Sequence, residues 1–169
     1  MIKLFGVILV VSACGGVGFV LASNHKREEN ALQQLVCILD FMMCELQYRI
    51  TPLPVLCGMV GREFPQLPGR IFAELAGEME LQIYPDAECC MGVVLSRCRD
   101  LPPITKNEII QLGRSLGRFD LEGQLRGLEA VRQDCRVRLE QLSENRDNRL
   151  RSYQTLGLCA GAALAILLI

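Results

Sequence analysis

Residues Leu4 to Ala22 read LFGVILVVSACGGVGFVLA, nineteen residues without a charge. An α-helix needs about 20 apolar residues to cross a bilayer, so this stretch constrains everything after it. Lys3 precedes it, and Ser23-Asn24-His25-Lys26-Arg27 follows directly. The apolar run continues past each pair of small residues and stops at basic side chains, as a retained anchor does and a cleaved leader does not. A competing reading is a lipoprotein signal, because Val11-Ser12-Ala13-Cys14 offers a lipidation site at Cys14. Against it, the chain stays apolar from Cys14 to Ala22.

A second apolar stretch, Leu156 to Ile169, reads LGLCAGAALAILLI. At the helical rise it covers about 21 Å, and extending it back to Tyr153 adds about one turn. Bilayer thinning or snorkelling of Arg149 and Arg151 accommodates a short span of this kind. Between the two stretches lie 17 of the 18 basic residues and all 19 acidic ones, a net charge of −2. The basic flanks Lys26, Arg27, Arg146, Arg149 and Arg151 outnumber Lys3, which places the middle of the chain in the cytoplasm by the positive-inside rule. Three segments are therefore expected: an N-terminal transmembrane helix over 1–22, a cytoplasmic domain over 23–152, and a C-terminal transmembrane helix over 153–169. The charge balance carries no basic excess and no motif for nucleic acid.

The middle reads as all-α, a bundle of about six helices flanked by the two spans. From Asn24 to Ile50, apolar Leu32, Leu35, Leu39, Met42, Leu46 and Ile50 recur at steps of three and four. Glu45 and Arg49 are spaced to pair on the exposed side of that helix. Thr51-Pro52-Leu53-Pro54 breaks it; Thr51 is placed to cap a second helix with Pro52 at its first position. Phe64-Pro65 and Leu101-Pro102-Pro103 supply further breaks, around short helices over 69–79 and 86–99. Thr105-Lys106-Asn107-Glu108 has the spacing of a capping box opening a fifth helix. Gly117 is placed to end it, and Asp120 to cap a sixth. The sixth carries Leu121, Leu125, Leu128, Val131, Cys135, Leu139 and Leu142 on one face, with Glu122–Arg126 and Asp134–Arg138 spaced to pair along it. It has the composition to run on into the terminal stretch. The first and last long helices are expected side by side, since both return to the membrane.

No catalytic constellation is legible. Gly113-Arg114-Ser115-Leu116-Gly117-Arg118 lacks the spacing of a phosphate loop and follows a helix rather than a strand. The single histidine, His25, adjoins the first span and is poorly placed to activate a nucleophile. Cys89-Cys90 with Cys98 could bind a metal, but no CxxC occurs among the nine cysteines and the single histidine is remote, so no metal or other cofactor is expected, and in a reducing cytoplasm the seven outside the spans read as free thiols. Small residues recur in both spans: Gly157, Gly161 and Ala165 every four residues, and Ser12, Gly15, Gly16 and Gly18 in the first. Such faces let two membrane helices approach closely.

Taken together, the layout, Ile50-Thr51-Pro52-Leu53-Pro54, and Glu108-Ile109-Ile110-Gln111-Leu112-Gly113-Arg114-Ser115-Leu116-Gly117 followed by Asp120 and Gln124 resemble the stage III sporulation protein AB family of endospore-forming bacteria. Phe119 departs from the small polar residue expected before the aspartate. The resemblance covers essentially the whole chain. It implies a non-enzymatic component of a transenvelope, secretion-like complex in the mother-cell membrane around the forespore. It also implies a cytoplasmic domain similar to that of type II secretion and type IV pilus platform proteins. The implied partners are the secretion-type hexameric ATPase of the same operon and the other stage III sporulation A membrane proteins. Thr51, Pro52, Pro54, Gly113, Arg114, Ser115, Gly117 and Asp120 are then the candidates for partner contact, and equally candidates for turn and cap residues.

Overall fold

The structure, a computed structural model, describes residues 2–117 and 120–168, with side chains described for 26–117 and 120–144. It contains six helices: α1 (Ile2–Arg49), α2 (Leu53–Glu63), α3 (Leu67–Glu80), α4 (Ala87–Arg97), α5 (Pro103–Ser115) and α6 (Leu121–Leu168). No strand occurs among the described residues, so the all-α expectation holds. The first and last helices are 48 residues each and continuous with the apolar termini. Among the residues whose side chains are described, no helix is long and apolar enough to cross a membrane. The expected spans, 4–22 and 153–169, lie outside those residues.

The three–four spacing of α1 works as its pattern predicts over most of its length. Leu32, Leu35, Leu39 and Met42 have no exposure, and Leu46 is buried too. They pack against Phe72 and Leu75 of α3, Met91 and Leu95 of α4, Ile109 and Leu112 of α5, and Leu128, Val131 and Cys135 of α6 in one contiguous core. Burying each large aliphatic side chain is worth about 2 kcal/mol, and no single pair dominates. Ile50 is the exception. It was expected on the core stripe, yet it is 71% exposed and has φ of 50°. The chain leaves the helix at this residue in the left-handed region, which swings the side chain away from the core.

Helix ends depart from the sequence expectation where distant residues take over. Thr51 does not cap α2; Pro52 occupies the cap position with no side-chain hydrogen bond, and Leu53 begins the helix. Likewise α5 begins at Pro103, two residues before the capping-box threonine. Its free amide at Ile104 is satisfied from α1, where Glu28 Oε1 accepts at 2.8 Å. Two residues expected to form a local cap thereby become interior: Thr105 and Glu108 are both fully buried. Asp86 and Asp120 are caps of the ordinary kind, accepting from Cys89 N at 2.8 Å and Gly123 N at 3.0 Å. Gly117 turns the chain between α5 and α6 at φ of +75°.

The short helices form antiparallel hairpins. A Cβ placed on Gly61 would meet Ala73, and one on Gly58 would lie 3.9 Å from Ala76, which fixes α2 against α3. Phe41 and Phe64 meet edge to face at 5.9 Å, joining α1 to the far end of α2. In the same way Gly113 of α5 rests on Met91 and Glu88 of α4, and Gly127 of α6 on Ser115 of α5. Helices α1 and α6 run antiparallel, joined at mid-height by Arg132, which donates to Asp40 Oδ1 of α1 and Glu129 Oε1 of α6, both at 2.6 Å. As a result the N-terminal end of α1 and the C-terminal end of α6 leave the bundle on the same side. The opposite end is built from the α1–α2, α3–α4 and α5–α6 connections.

Candidate functional site

The two sequence motifs meet at the end of the bundle opposite the apolar termini. A Cβ on Gly117 would lie 3.5 Å from Leu53 and 4.0 Å from Ala87, so the α1–α2 turn, the start of α4 and the α5–α6 turn converge there. Of the motif residues, Pro52, Arg114, Gly117 and Asp120 are exposed, Thr51, Pro54 and Ser115 are half-buried, and Gly113 is buried. Several have structural occupations. Arg114 pairs with Glu88 of α4 at 3.2 Å, and the Ser115 hydroxyl donates to the Leu112 carbonyl at 2.9 Å. Gly113 admits Met91, whose Cβ would lie 3.1 Å from an added methyl. Phe119 and Arg118 lie outside the described residues. The membrane-helix candidates Gly15, Gly16, Gly18, Gly157 and Gly161 lie outside those whose side chains are described.

Sequence reading missed the apolar side chains around these motifs. Eight large hydrophobic residues are exposed among those described, and seven belong to the connections and helix ends at this one end. They are Tyr48 and Ile50 from the end of α1, Val55 from the first turn of α2, Leu81, Ile83 and Tyr84 from the α3–α4 connection, and Leu121 from the start of α6. The eighth, Val137, lies on the side of α6. Monomeric proteins seldom expose such a cluster in one place. The available signal was the failure of Leu81, Ile83 and Tyr84 to fit any helical repeat; Ile50 fits the repeat of α1 and gave none.

A second feature lies inside the bundle. Glu108 of α5 has no exposure, and the Arg138 Nε of α6 donates to its Oε1. Arg138 therefore turns away from its expected partner Asp134. Glu108 Oε2 and the buried hydroxyl Thr105 Oγ1 have no hydrogen-bond partner. Glu45 and Arg49 do pair, at 3.6 Å, but the Glu45 side chain is only 13% exposed and its Oε2 also lacks a partner. Buried charges of this kind tie helices together at a cost in desolvation. The burial of Glu108 could have been suspected from its i, i+4 relation to Leu112.

Among the described residues, no arrangement resembling a reaction centre emerges. Burial pushes the Cys57 and Cys135 thiols up to about 12, with Glu108 adding to the effect at Cys135. Cys89 is pushed up chiefly by its hydrogen bond to Asp86, and Cys90 chiefly by burial. A nucleophilic thiol needs a shift in the opposite direction. All seven described cysteines are free thiols, and no group of three His, Cys, Asp or Glu residues converges on a metal position among the described residues. An open depression of about 280 Å³ between α1 and the end of α2 is lined by Asn30, Gln33, Gln34, Cys37 and Phe64, with no charged group.

These features define a class: an all-helical bundle closed by two long antiparallel helices, with seven of the eight exposed large hydrophobic residues among those described at one end. The sequence pattern of the stage III sporulation protein AB family matches residues 3–169, and the chain belongs to that family. It is 25% identical over 178 residues to the stage III sporulation protein AB of Bacillus subtilis strain 168, covering 99% of each chain. A solved structure of a stage III sporulation protein AB superposes with a TM-score of 0.63 at 17% identity. That match covers 72% of this chain and 98% of the other, and it supports the fold.

Proposed function

We propose that this protein is a non-enzymatic membrane platform of a sporulation complex, held at both ends in the mother-cell membrane around the forespore. Its bundle faces the cytoplasm and engages a secretion-type ATPase, its two spans pack together as a hairpin, and the other stage III sporulation A membrane proteins are its further partners. The observation that carries this reading is the antiparallel packing of α1 and α6. It sends both apolar termini out of the same side of the bundle and leaves the connections between the short helices at the opposite end. The raised thiols and the uncharged depression favour a scaffold over a cysteine-dependent enzyme. Membership of a sporulation family supports a role in sporulation.

Native cysteines provide the test. Cys37, Cys44 and Cys89 are exposed and suited to labelling by a membrane-impermeant maleimide. Labelling only after permeabilisation of sporulating cells, together with co-purification of the ATPase, is the expected outcome. Labelling in intact cells that is lost with Cys14→Ala would instead establish the lipoprotein reading and overturn the platform.

A further inference from the structure

We propose that the end of the bundle formed by the α1–α2, α3–α4 and α5–α6 connections is the docking surface, and that its occupant is a soluble protein with an apolar contact ringed by basic residues. This rests on the platform reading above and assigns it a surface. Its centre is Tyr48, Ile50, Val55, Leu81, Ile83 and Leu121, and Ile50 and Tyr48 are 71% and 79% exposed. Exposed Glu80 adjoins Leu81, and exposed Asp120 and Glu122 flank Leu121. Of the nearby cations whose side chains are described, Arg49 is engaged by Glu45 and Arg114 by Glu88, and exposed Arg126 lies one turn after Glu122 on α6. The surface therefore presents apolar area inside an acidic margin, and electrostatic complementarity calls for lysine or arginine on the partner.

Geometry selects among occupants. The end of α1 at Arg49 lies about 40 Å along the helix from Ala22, far beyond the reach of the bilayer that would hold the other end. Lipid is thus an unsuitable occupant. A second copy fixed in the same membrane in the same orientation meets this chain side by side and presents its own distal end parallel to this one. An end-on contact needs a partner free to approach from the cytoplasm.

Ile50 adds an independent argument. It is β-branched, it adopts φ of 50°, and its side chain points into solvent. Glycine would take the same backbone conformation without strain. An apolar side chain kept outward at a strained position is one whose contact lies outside the folded monomer.

The experiment uses the full chain in nanodiscs, with the purified hexameric ATPase as probe. Ile50→Gly is expected to raise the melting temperature by about 3 °C by relieving the strain and to weaken binding about tenfold, as loss of a central apolar contact does. Ile83→Lys, which sets a cation against an apolar contact ringed by cations, is expected to weaken it further, and Glu80→Lys with Glu122→Lys to remove most of its salt dependence. Val137→Glu on the side of α6 is the control and leaves binding unchanged. If the wild-type chain binds and the end-surface variants bind equally well, the docking surface is wrong while the platform stands. Loss of binding with Val137→Glu alone places the contact on the side of α6 and also overturns the assignment. A wild-type chain that does not bind the ATPase overturns the platform reading and this surface with it. A shift from dimer to monomer in the same variants identifies a second copy as the occupant and refutes the proposal of a soluble partner.

Discussion

Replacing Arg138 by leucine tests the account of the buried charge between α5 and α6. The Glu108 carboxylate has no exposure, and its Oε1 has Arg138 as its donor while Oε2 has none. Removing the guanidinium leaves an isolated ion in the core, a change that costs about 3–5 kcal/mol when both charges are fully buried. The Arg138 side chain is 42% exposed, so part of its charge is already solvated and the lower end, about 3 kcal/mol, applies. For a chain of this length that lowers Tm by about 6–12 °C. Glu108→Leu removes the ion itself and returns Arg138 to water, so its expected cost is under about 1 kcal/mol. The double variant should match Glu108→Leu rather than the sum of the two. Thermal unfolding of the full chain in detergent, followed by circular dichroism, reads all three. Equal losses from the two single variants, or additivity in the double variant, would refute the claim that the carboxylate is stabilised chiefly by Arg138.

Two further outcomes follow from the cores of the helical hairpins. A Cβ on Gly69 would overlap the Phe64 carbonyl oxygen, a backbone atom that cannot move aside, so Gly69→Ala should cost about 1–3 kcal/mol, read as a lowered Tm. Cys57 and Cys135 ionise at about 12 in the folded chain against an ordinary 9.0, so above pH 9 the unfolded chain releases protons that the folded chain retains. Stability is therefore complete below pH 9 and falls as pH rises towards 12, by about 1.4 kcal/mol per pH unit for each thiol. Denaturant melts at pH 8 and pH 10 measure this, and Cys57→Ala with Cys135→Ala should remove most of the difference, the raised Cys89 and Cys90 accounting for the remainder.

The helices were legible in the sequence because their information is local. Steps of three and four through Leu32, Leu35, Leu39 and Met42 define a buried face, and prolines punctuate the short helices. Asp86 and Asp120 cap helices that begin immediately after them. What was not legible depends on residues far apart. Thr105 and Glu108 have the spacing of a capping box, but Pro103 starts the helix earlier and Glu28, 76 positions away, supplies the missing acceptor. Once the box is displaced inward, the same two residues become buried and Glu108 finds Arg138. Ile50 likewise continues an apolar repeat, yet one left-handed residue moves it to the surface. The candidate surface was half visible: the turn motifs could be named, while Leu81, Ile83 and Tyr84 come from a connection with no periodic signal and Ile50 and Leu121 continue core repeats from which the helix ends remove them.

The 48-residue lengths of α1 and α6 have a mechanical consequence. Each rod is about 72 Å long. Neither glycine nor proline interrupts α1 between Ser23 and Arg49, or α6 between Leu128 and Leu156, and these are the residues at which helices usually kink. A load applied at the connections therefore passes along two stiff struts rather than being absorbed by a hinge. Arg132 clasps the pair at mid-height through Asp40, so the struts shift together. Under the two-anchor reading, a partner that pushes or turns the far end of the bundle delivers that motion to both membrane segments at once, as a shared piston stroke or torque.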